Sequence, residues 1–291
     1  MKAATARTGK PNSRPYAPRR LPPRRRPGRA GRSVGGHYDV RQRAAGYAPI
    51  IATFGALAVP AIIVLFTLPP KPAPQTAPFI ALAAGLLILA MIGSFTGAIG
   101  MAAIGAEQEP TANLPAAIMF VAVPAALSVI AVLAAFEVLA AIYLPHSKTL
   151  FAVIVGVGGM AATFFTAFAI GDSWHTGPAD PVERRLWLRT QWLRSHAQAY
   201  KWANLAGGIG VIPAVTGILV RILGAGVAPT TSVVNWLVGS GLGLVITGTA
   251  FGMLRTSHPV DGVQKSLRPF EAFGTTLAIG LYVLTLMIFL P

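Results

Sequence analysis

The chain has 291 residues, of which 54% are hydrophobic and only 11% are charged. Soluble domains carry roughly 25% charged residues, so this composition indicates an integral membrane protein. The chain contains no cysteine, which excludes disulfides, thiolate nucleophiles and Cys-ligated metal centres. The net charge of +15 is uneven, because 13 of the 24 Lys and Arg residues lie before residue 44.

Residues 1–44 form the first compositional segment, which is rich in Pro, Gly and Arg. Like charges and helix-breaking residues can neither bury a core nor hold a helix, so we predict a disordered basic tail. A secretory signal would place a short apolar run directly after a few charges. Here the apolar run starts late and is long enough to cross a bilayer, so we expect the tail to stay on the protein.

Seven apolar runs follow the tail, and each is long enough for a helix that crosses a bilayer core of about 20 residues. We therefore predict an all-α integral membrane protein, with residues 45–291 forming a bundle of seven transmembrane helices. The predicted spans are 45–68, 77–104, 114–144, 149–170, 203–227, 232–254 and 272–290.

The positions of Lys and Arg predict the orientation, because positively charged short loops remain on the cytoplasmic side. With the N-terminus inside, the inner segments hold 21 of these residues and the outer segments hold three, which are Lys71, Lys148 and Arg221. We therefore predict a cytoplasmic N-terminus, an external C-terminus and a location in the cell membrane.

Glu137 is the one carboxylate deep inside a predicted span, and Arg221 is the one deep cation. Both lie about two turns before the outer ends of their spans. An unpaired charge at such a depth costs about 3 kcal/mol or more, so an ion pair between them is our first interpretation. Two others remain open: Arg221 extends to the outer headgroups while Glu137 is protonated, or Glu137 is a functional proton or cation site.

Small residues predict close contacts between helices. Gly93 and Gly97 in span two and Gly239 and Gly243 in span six are each four residues apart, which places each pair on one helix face. We predict that both faces pack against neighbouring helices. Prolines at similar places in spans one, three and five (Pro60, Pro124 and Pro213) also suggest an internal repeat. The high Pro content of the chain is the alternative explanation.

Residues 171–202 form the longest predicted cytoplasmic loop. Asp180, Pro181 and Glu183 give a helix start signal, and the residues that follow mix basic and aromatic side chains. Such a pattern is typical of a helix that lies at the membrane interface with Trp anchors and Arg residues toward anionic lipid. The residues assigned to this helix are Arg184, Arg185, Trp187, Arg189, Trp192, Arg194 and Trp202.

The sequence contains no signature of an enzyme or a cofactor site. None of the five histidines lies in a span, so a haem between helices lacks its ligand, and there is no phosphate-binding loop or dinucleotide motif. We predict no catalytic residue, no metal and no cofactor.

Two functional hypotheses follow from these features. In the first, the chain is a non-enzymatic accessory or scaffold protein whose basic tail and interfacial helix bind anionic lipid headgroups, nucleic acid or a partner protein at the inner face. In the second, it is a small transporter or channel with Glu137 as the intramembrane site. We prefer the first, because a solute pathway usually requires more intramembrane polar groups than these two charges.

Overall fold

The computed structural model describes residues 40–67, 76–107, 114–144, 146, 148–175, 196–224, 227, 229–257 and 267–290. Seven α-helices in these ranges are long and apolar enough to cross a membrane, which confirms the predicted all-helical class and the predicted number of helices able to do so. They are α1 (Val40–Thr67), α2 (Ala77–Ala106), α3 (Leu114–Tyr143), α4 (Lys148–His175), α5 (His196–Ile222), α6 (Thr231–Ser257) and α7 (Pro269–Phe289).

Three helix ends extend five or more residues beyond the predicted spans, and α5 ends at Ile222, five residues before its predicted end. α1 begins at Val40, so residues 40–44 are helical and do not belong to the tail. α4 continues to His175 and α5 begins at His196. Hydropathy marks only the part of a helix that lies in hydrocarbon, whereas the backbone hydrogen bonds of a helix continue into the polar interface.

α3 is the central helix of the bundle. It is buried over 89% of its apolar centre, whereas α1 is buried over 17%. Among the described residues α3 packs against five of the other six helices, and α5 is the exception. The main core follows α3 and is lined by Leu, Val and Ala side chains of α2, α3, α4 and α7. α3 is therefore the most buried of the seven described helices.

Contacts between helix termini define the two ends of the bundle. Arg41 at the start of α1 donates to the Glu107 carbonyl after α2 (3.2 Å), and Trp174 near the end of α4 donates to the Leu267 carbonyl before α7 (2.9 Å). We call this the inner end, following the predicted orientation. At the opposite, outer end the Val227 amide donates to the Ile288 carbonyl (2.9 Å).

Candidate intramembrane ion-pair site

Glu137 lies on α3 two turns before the outer end of the helix, and its side chain is completely buried. Its neighbours one turn away are the small residues Ala134 and Ala140, which are also buried. The central position of α3 explains this burial, because most of the helix is covered by other helices. A carboxylate in such a place requires a counter-ion, a hydrogen-bond donor or a proton.

Arg221 lies in the last turn of α5 and reaches toward Glu137. Its Nη2 atom is 3.5 Å from Oε1 of Glu137, and 13% of the Arg221 side chain remains exposed. α3 and α5 have no extended contact among the described residues, whereas α4 and α7 each pack against both of them. The long Arg side chain thus connects α5 to α3, although α4 and α7 pack against both helices.

The hydrogen bonding of this pair is incomplete. Neither carboxylate oxygen of Glu137 has a hydrogen-bond donor in the described part of the chain. The separation of 3.5 Å is also longer than the 2.7–2.9 Å of a charge-assisted N–H···O bond. The two groups therefore attract each other as charges, without the two parallel hydrogen bonds that make the strongest Arg–carboxylate contacts.

Tight packing closes the space on the inner side of the pair. One turn inward, Leu133 of α3 and Ile218 of α5 contact Gly158 and Gly156 of α4. Val283 of α7 covers Gly159, where an added Cβ would lie 2.7 Å from a Val283 methyl carbon. The layer below the charges is thus apolar and filled.

A cavity of about 340 Å³ lies beside α3 and α4 but does not include the pair. Its walls are apolar and aromatic. The lining residues are Leu133, Phe136, Leu139, Ala140, Tyr143, Leu144, Phe151 and Ile154. Such a predominantly apolar surface suits a hydrocarbon chain.

The first predicted glycine face lies at a close contact between α2 and α3. A Cβ on Gly93 would lie 2.7 Å from the Pro124 carbonyl oxygen, and one on Gly97 would lie 3.2 Å from the Ala125 amide nitrogen. The two backbones therefore approach as closely as glycine allows.

The second predicted glycine face is different, and here the packing prediction was wrong within the chain. A Cβ on Gly239 or Gly243 would meet no described residue within 4 Å. The glycines of α6 that meet other helices are Gly241, Gly248 and Gly252. The sequence offers several glycine spacings on α6, and only the tertiary arrangement selects the face that is buried.

Hydroxyl groups near these faces bond within their own helices and not across the contacts. Thr96 donates to the Ile92 carbonyl (2.8 Å), Ser240 to the Leu237 carbonyl (3.0 Å) and Thr247 to the Gly243 carbonyl (2.7 Å). The cross-helix bond that the sequence did not reveal is from Ser94 to the Ile51 carbonyl of α1 (3.0 Å).

The predicted interfacial helix lies outside the described residues, except for Trp202. Trp202 belongs to α5, and its ring meets Phe273 of α7 edge-on at 6.1 Å between centroids. Its assignment to a separate interfacial helix is therefore corrected. The amphipathic pattern was misleading at Trp202, because it is followed directly by the apolar run of α5 and the sequence does not mark where one ends and the other begins.

Charged and polar side chains form further contacts at the inner end. Arg255 of α6 donates to the Glu271 carboxylate of α7, and the guanidinium lies 5.9 Å from the centre of the Phe120 ring of α3. The second oxygen of Glu271 accepts from the Arg268 amide (2.8 Å). These contacts connect α6, α7 and α3.

Asp172 contributes a second polar group at the inner end. This carboxylate is buried near the end of α4, and it interacts electrostatically with Tyr47 of α1 and Tyr200 of α5. Arg43 of α1 hydrogen-bonds Tyr47 and also interacts electrostatically with Tyr200. Within the described ranges no three His, Asp or Glu side chains stand close enough to hold a metal ion.

Comparison with known proteins does not add to this picture. No protein-family model, no curated protein and no solved structure matches the chain.

Proposed function

We propose that this multi-pass membrane protein is a non-enzymatic scaffold whose basic cytoplasmic segments bind anionic lipid headgroups. The observation that carries the proposal is the charge partition of the sequence, with 21 of 24 cations on one predicted side. Polybasic segments next to a membrane gain about 1 kcal/mol per cation from anionic lipid. Nucleic acid and an acidic partner protein are the alternative ligands of the same segments.

The positions of the described cations support this proposal. Five of them lie at helix ends of the inner end of the bundle and would meet the headgroup region there. They are Arg41, Arg43, Lys201, Arg255 and Arg268. A bundle that presents one basic end is suited to bind anionic lipid headgroups.

The buried hydroxyl groups also favour an anchoring role over a solute pathway. Four completely buried Ser and Thr side chains donate to carbonyls of their own helices, three or four residues earlier. They are Ser128, Thr163, Thr166 and Thr276. Hydroxyls bonded in this way do not line a polar path through the bundle.

A transporter with Glu137 as its intramembrane site is the second candidate. Its specific support is the completely buried carboxylate with no hydrogen-bond donor among the described residues. Ionisable residues inside membranes commonly mark ion or proton pathways. Loss of transport in a Glu137→Gln variant of normal stability would favour this candidate.

Removal of residues 1–39 tests the scaffold proposal. The cut leaves α1 intact, because the helix begins at Val40, and it removes 11 cations and Asp39. We expect binding of the purified protein to vesicles with anionic lipid to weaken at least tenfold and to lose most of its salt dependence.

The matched control keeps the tail at full length and replaces its 11 cations by Gln. The scaffold proposal requires this variant to behave like the truncated protein, since charge and not length is responsible. Binding that is unchanged in both variants would contradict the proposal. Stronger binding to DNA than to anionic vesicles would instead favour the nucleic-acid alternative.

Single cysteines test the predicted orientation on which the proposal depends. The chain has no cysteine of its own, so each introduced thiol is the one target. A Cys at Thr230 should react with an impermeant maleimide added outside intact cells, and one at Gln264 should react only after permeabilisation. The reverse pattern would place the basic segments outside and contradict the proposal.

A further inference from the structure

The outer third of α5, residues 214–222, combines several features of a movable segment. We call this segment the α5 lever. It follows Pro213, ends at a glycine turn and carries Arg221 near its tip.

A rigid contact lies directly on the inner side of the lever. A Cβ on Gly210 of α5 would overlap the Thr276 carbonyl of α7, and one on Gly280 of α7 would overlap the Gly210 carbonyl. Thr163 of α4 also contacts Gly210. The two backbones thus cross at a point where neither can shift inward, so this crossing can act as a pivot.

Pro213 lies three residues beyond this pivot. Proline has no amide hydrogen, so the Ile209 carbonyl lacks its usual helix hydrogen bond. Proline positions are the usual sites of kinks in transmembrane helices. Pro124 in α3 has the same chemistry, but its surroundings hold it on all sides, because α3 is almost entirely buried.

The two faces of the lever have different surroundings. Val215, Leu219 and Ile222 are between 39% and 59% exposed and face the side where lipid would lie. The inward face packs on two helices, with Gly217 against Met287 of α7 and Ile218 against Gly156 of α4. Lipid chains yield to a moving helix, so the outward face does not oppose a swing.

The tip of the lever is held by Arg221, which reaches Glu137 of α3 at 3.5 Å. The chain beyond the tip is tied to α7 by the Val227 amide, but Gly224 lies between them with a φ of 72°. A glycine in this left-handed conformation adapts with little steric cost, so it can act as a joint. α3 and the lever share no other polar contact among the described residues.

We propose that the α5 lever swings about Pro213 and that the Arg221–Glu137 ion pair is the latch that ties its tip to α3. When the latch is closed, Glu137 is completely buried. When it opens, the outer ends of α3 and α5 separate and Glu137 becomes accessible from the outer side. The incomplete hydrogen bonding of the pair makes it easier to break than a bidentate contact.

Cysteine accessibility tests this proposal. Ala134 is completely buried on α3, one turn inward from Glu137, so Ala134→Cys should react very slowly with an impermeant maleimide from the outer side. Adding Arg221→Gln removes the latch and should raise the labelling rate about tenfold, because labelling of a buried thiol follows the population of the open state. Arg221→Lys keeps the charge and should restore slow labelling.

Two controls separate a swing of the lever from general loosening of the bundle. Ala117 is completely buried on the inner half of the same helix, so Ala117→Cys should stay unlabelled when Arg221→Gln is added. Arg255→Gln breaks an Arg–Glu contact at the inner end and should leave Ala134→Cys slow. Equal acceleration at Ala117→Cys and Ala134→Cys would overturn the proposal, and so would an unchanged rate at Ala134→Cys.

A hinge variant tests the second half of the proposal. Pro213→Ala restores the amide that continues the helix and should lower the labelling of Ala134→Cys in the Arg221→Gln background. Distances between spin labels on Leu219 and Leu144, which are both exposed near the outer end, give an independent measurement. The distribution should broaden toward longer distances in Arg221→Gln and narrow again with Pro213→Ala, and an unchanged distribution would overturn the proposal.

Discussion

The two ends of the bundle hold their charges in different ways. At the inner end Arg255 and Glu271 make a hydrogen-bonded contact, and both side chains remain about 15% exposed. At the outer end Arg221 and Glu137 attract each other across 3.5 Å, and Glu137 is completely buried with no hydrogen bond among the described residues.

Solvation explains why this difference matters. A partly exposed pair exchanges one set of partners for water when it breaks, so it contributes little to stability. A buried pair contributes little when intact, because desolvation offsets the attraction, but the removal of one partner leaves an uncompensated charge. The outer pair should therefore be sensitive to single substitutions, and the inner pair should be tolerant of them.

The largest effect is expected for Arg221→Gln. This substitution leaves the Glu137 carboxylate completely buried without a counter-ion, so we expect a loss of about 3–5 kcal/mol in the free energy of unfolding. Glu137→Gln should cost less, about 2 kcal/mol, because Arg221 is already partly exposed and can extend toward the outer headgroups. Chemical unfolding in detergent provides the measurement.

The double variant decides between the interpretations of this pair. Glu137→Gln with Arg221→Gln should recover much of the loss, since no unpaired charge remains, and the coupling energy should exceed about 1 kcal/mol. Additive losses would exclude a pair that matters for stability. A stabilising Glu137→Gln substitution would instead indicate that the carboxyl group carries a proton in the folded protein.

The next effect compares two glycines that the sequence treats as equal. Gly93→Ala places a methyl group 2.7 Å from the Pro124 carbonyl oxygen, so α2 and α3 must separate, at a cost of about 1–3 kcal/mol. Gly243→Ala meets nothing within 4 Å and should be neutral or stabilising by up to about 1 kcal/mol, because Ala favours the helix. Thermal unfolding of both variants measures the difference.

Equal destabilisation by these two substitutions would contradict the assignment of the open face. If Gly243→Ala were as harmful as Gly93→Ala, Gly243 would have to contact something outside the described residues of one chain. The pair is a matched test, since both substitutions add one methyl group within a long helix.

The sequence predicted the spans because hydropathy depends on a run of residues and not on tertiary contacts. The position of Glu137 along its helix was also predictable, since position along a helix converts directly into distance along its axis. The position of Arg221 was not, because α5 ends at Ile222 and places Arg221 in its last turn and not two turns before the end of the span. The glycine faces were not readable, because Gly93 and Gly243 have the same local pattern and differ only in what lies opposite. Trp174 and Leu267 are 93 residues apart, and no local pattern connects them.

Loss of the Trp174 hydrogen bond should have an intermediate effect. Trp174→Phe keeps an aromatic ring in a buried place but removes the donor to the Leu267 carbonyl, so we expect a loss of about 1 kcal/mol. The segment before α7 should also become more accessible, which proteolysis after residue 257 can measure. Unchanged stability and unchanged cleavage would show that this bond does not hold the inner end together.

The smallest effect is expected for Arg255→Gln at the inner end. Glu271 keeps the Arg268 amide as a donor at 2.8 Å, so its carboxylate is not left without a partner. We expect a loss of about 0.5–1 kcal/mol, which should shrink further as salt is raised because the pair is close to water. The Arg221→Gln loss should be nearly independent of salt, since ions do not reach Glu137 in the closed bundle. Unfolding of the two variants at about 0.05 M and about 0.5 M salt, where screening is weak and strong respectively, measures both losses of free energy. A similar salt dependence for the two losses would mean that the outer pair is as hydrated as the inner one, and the contrast between the two ends would then have another cause than burial.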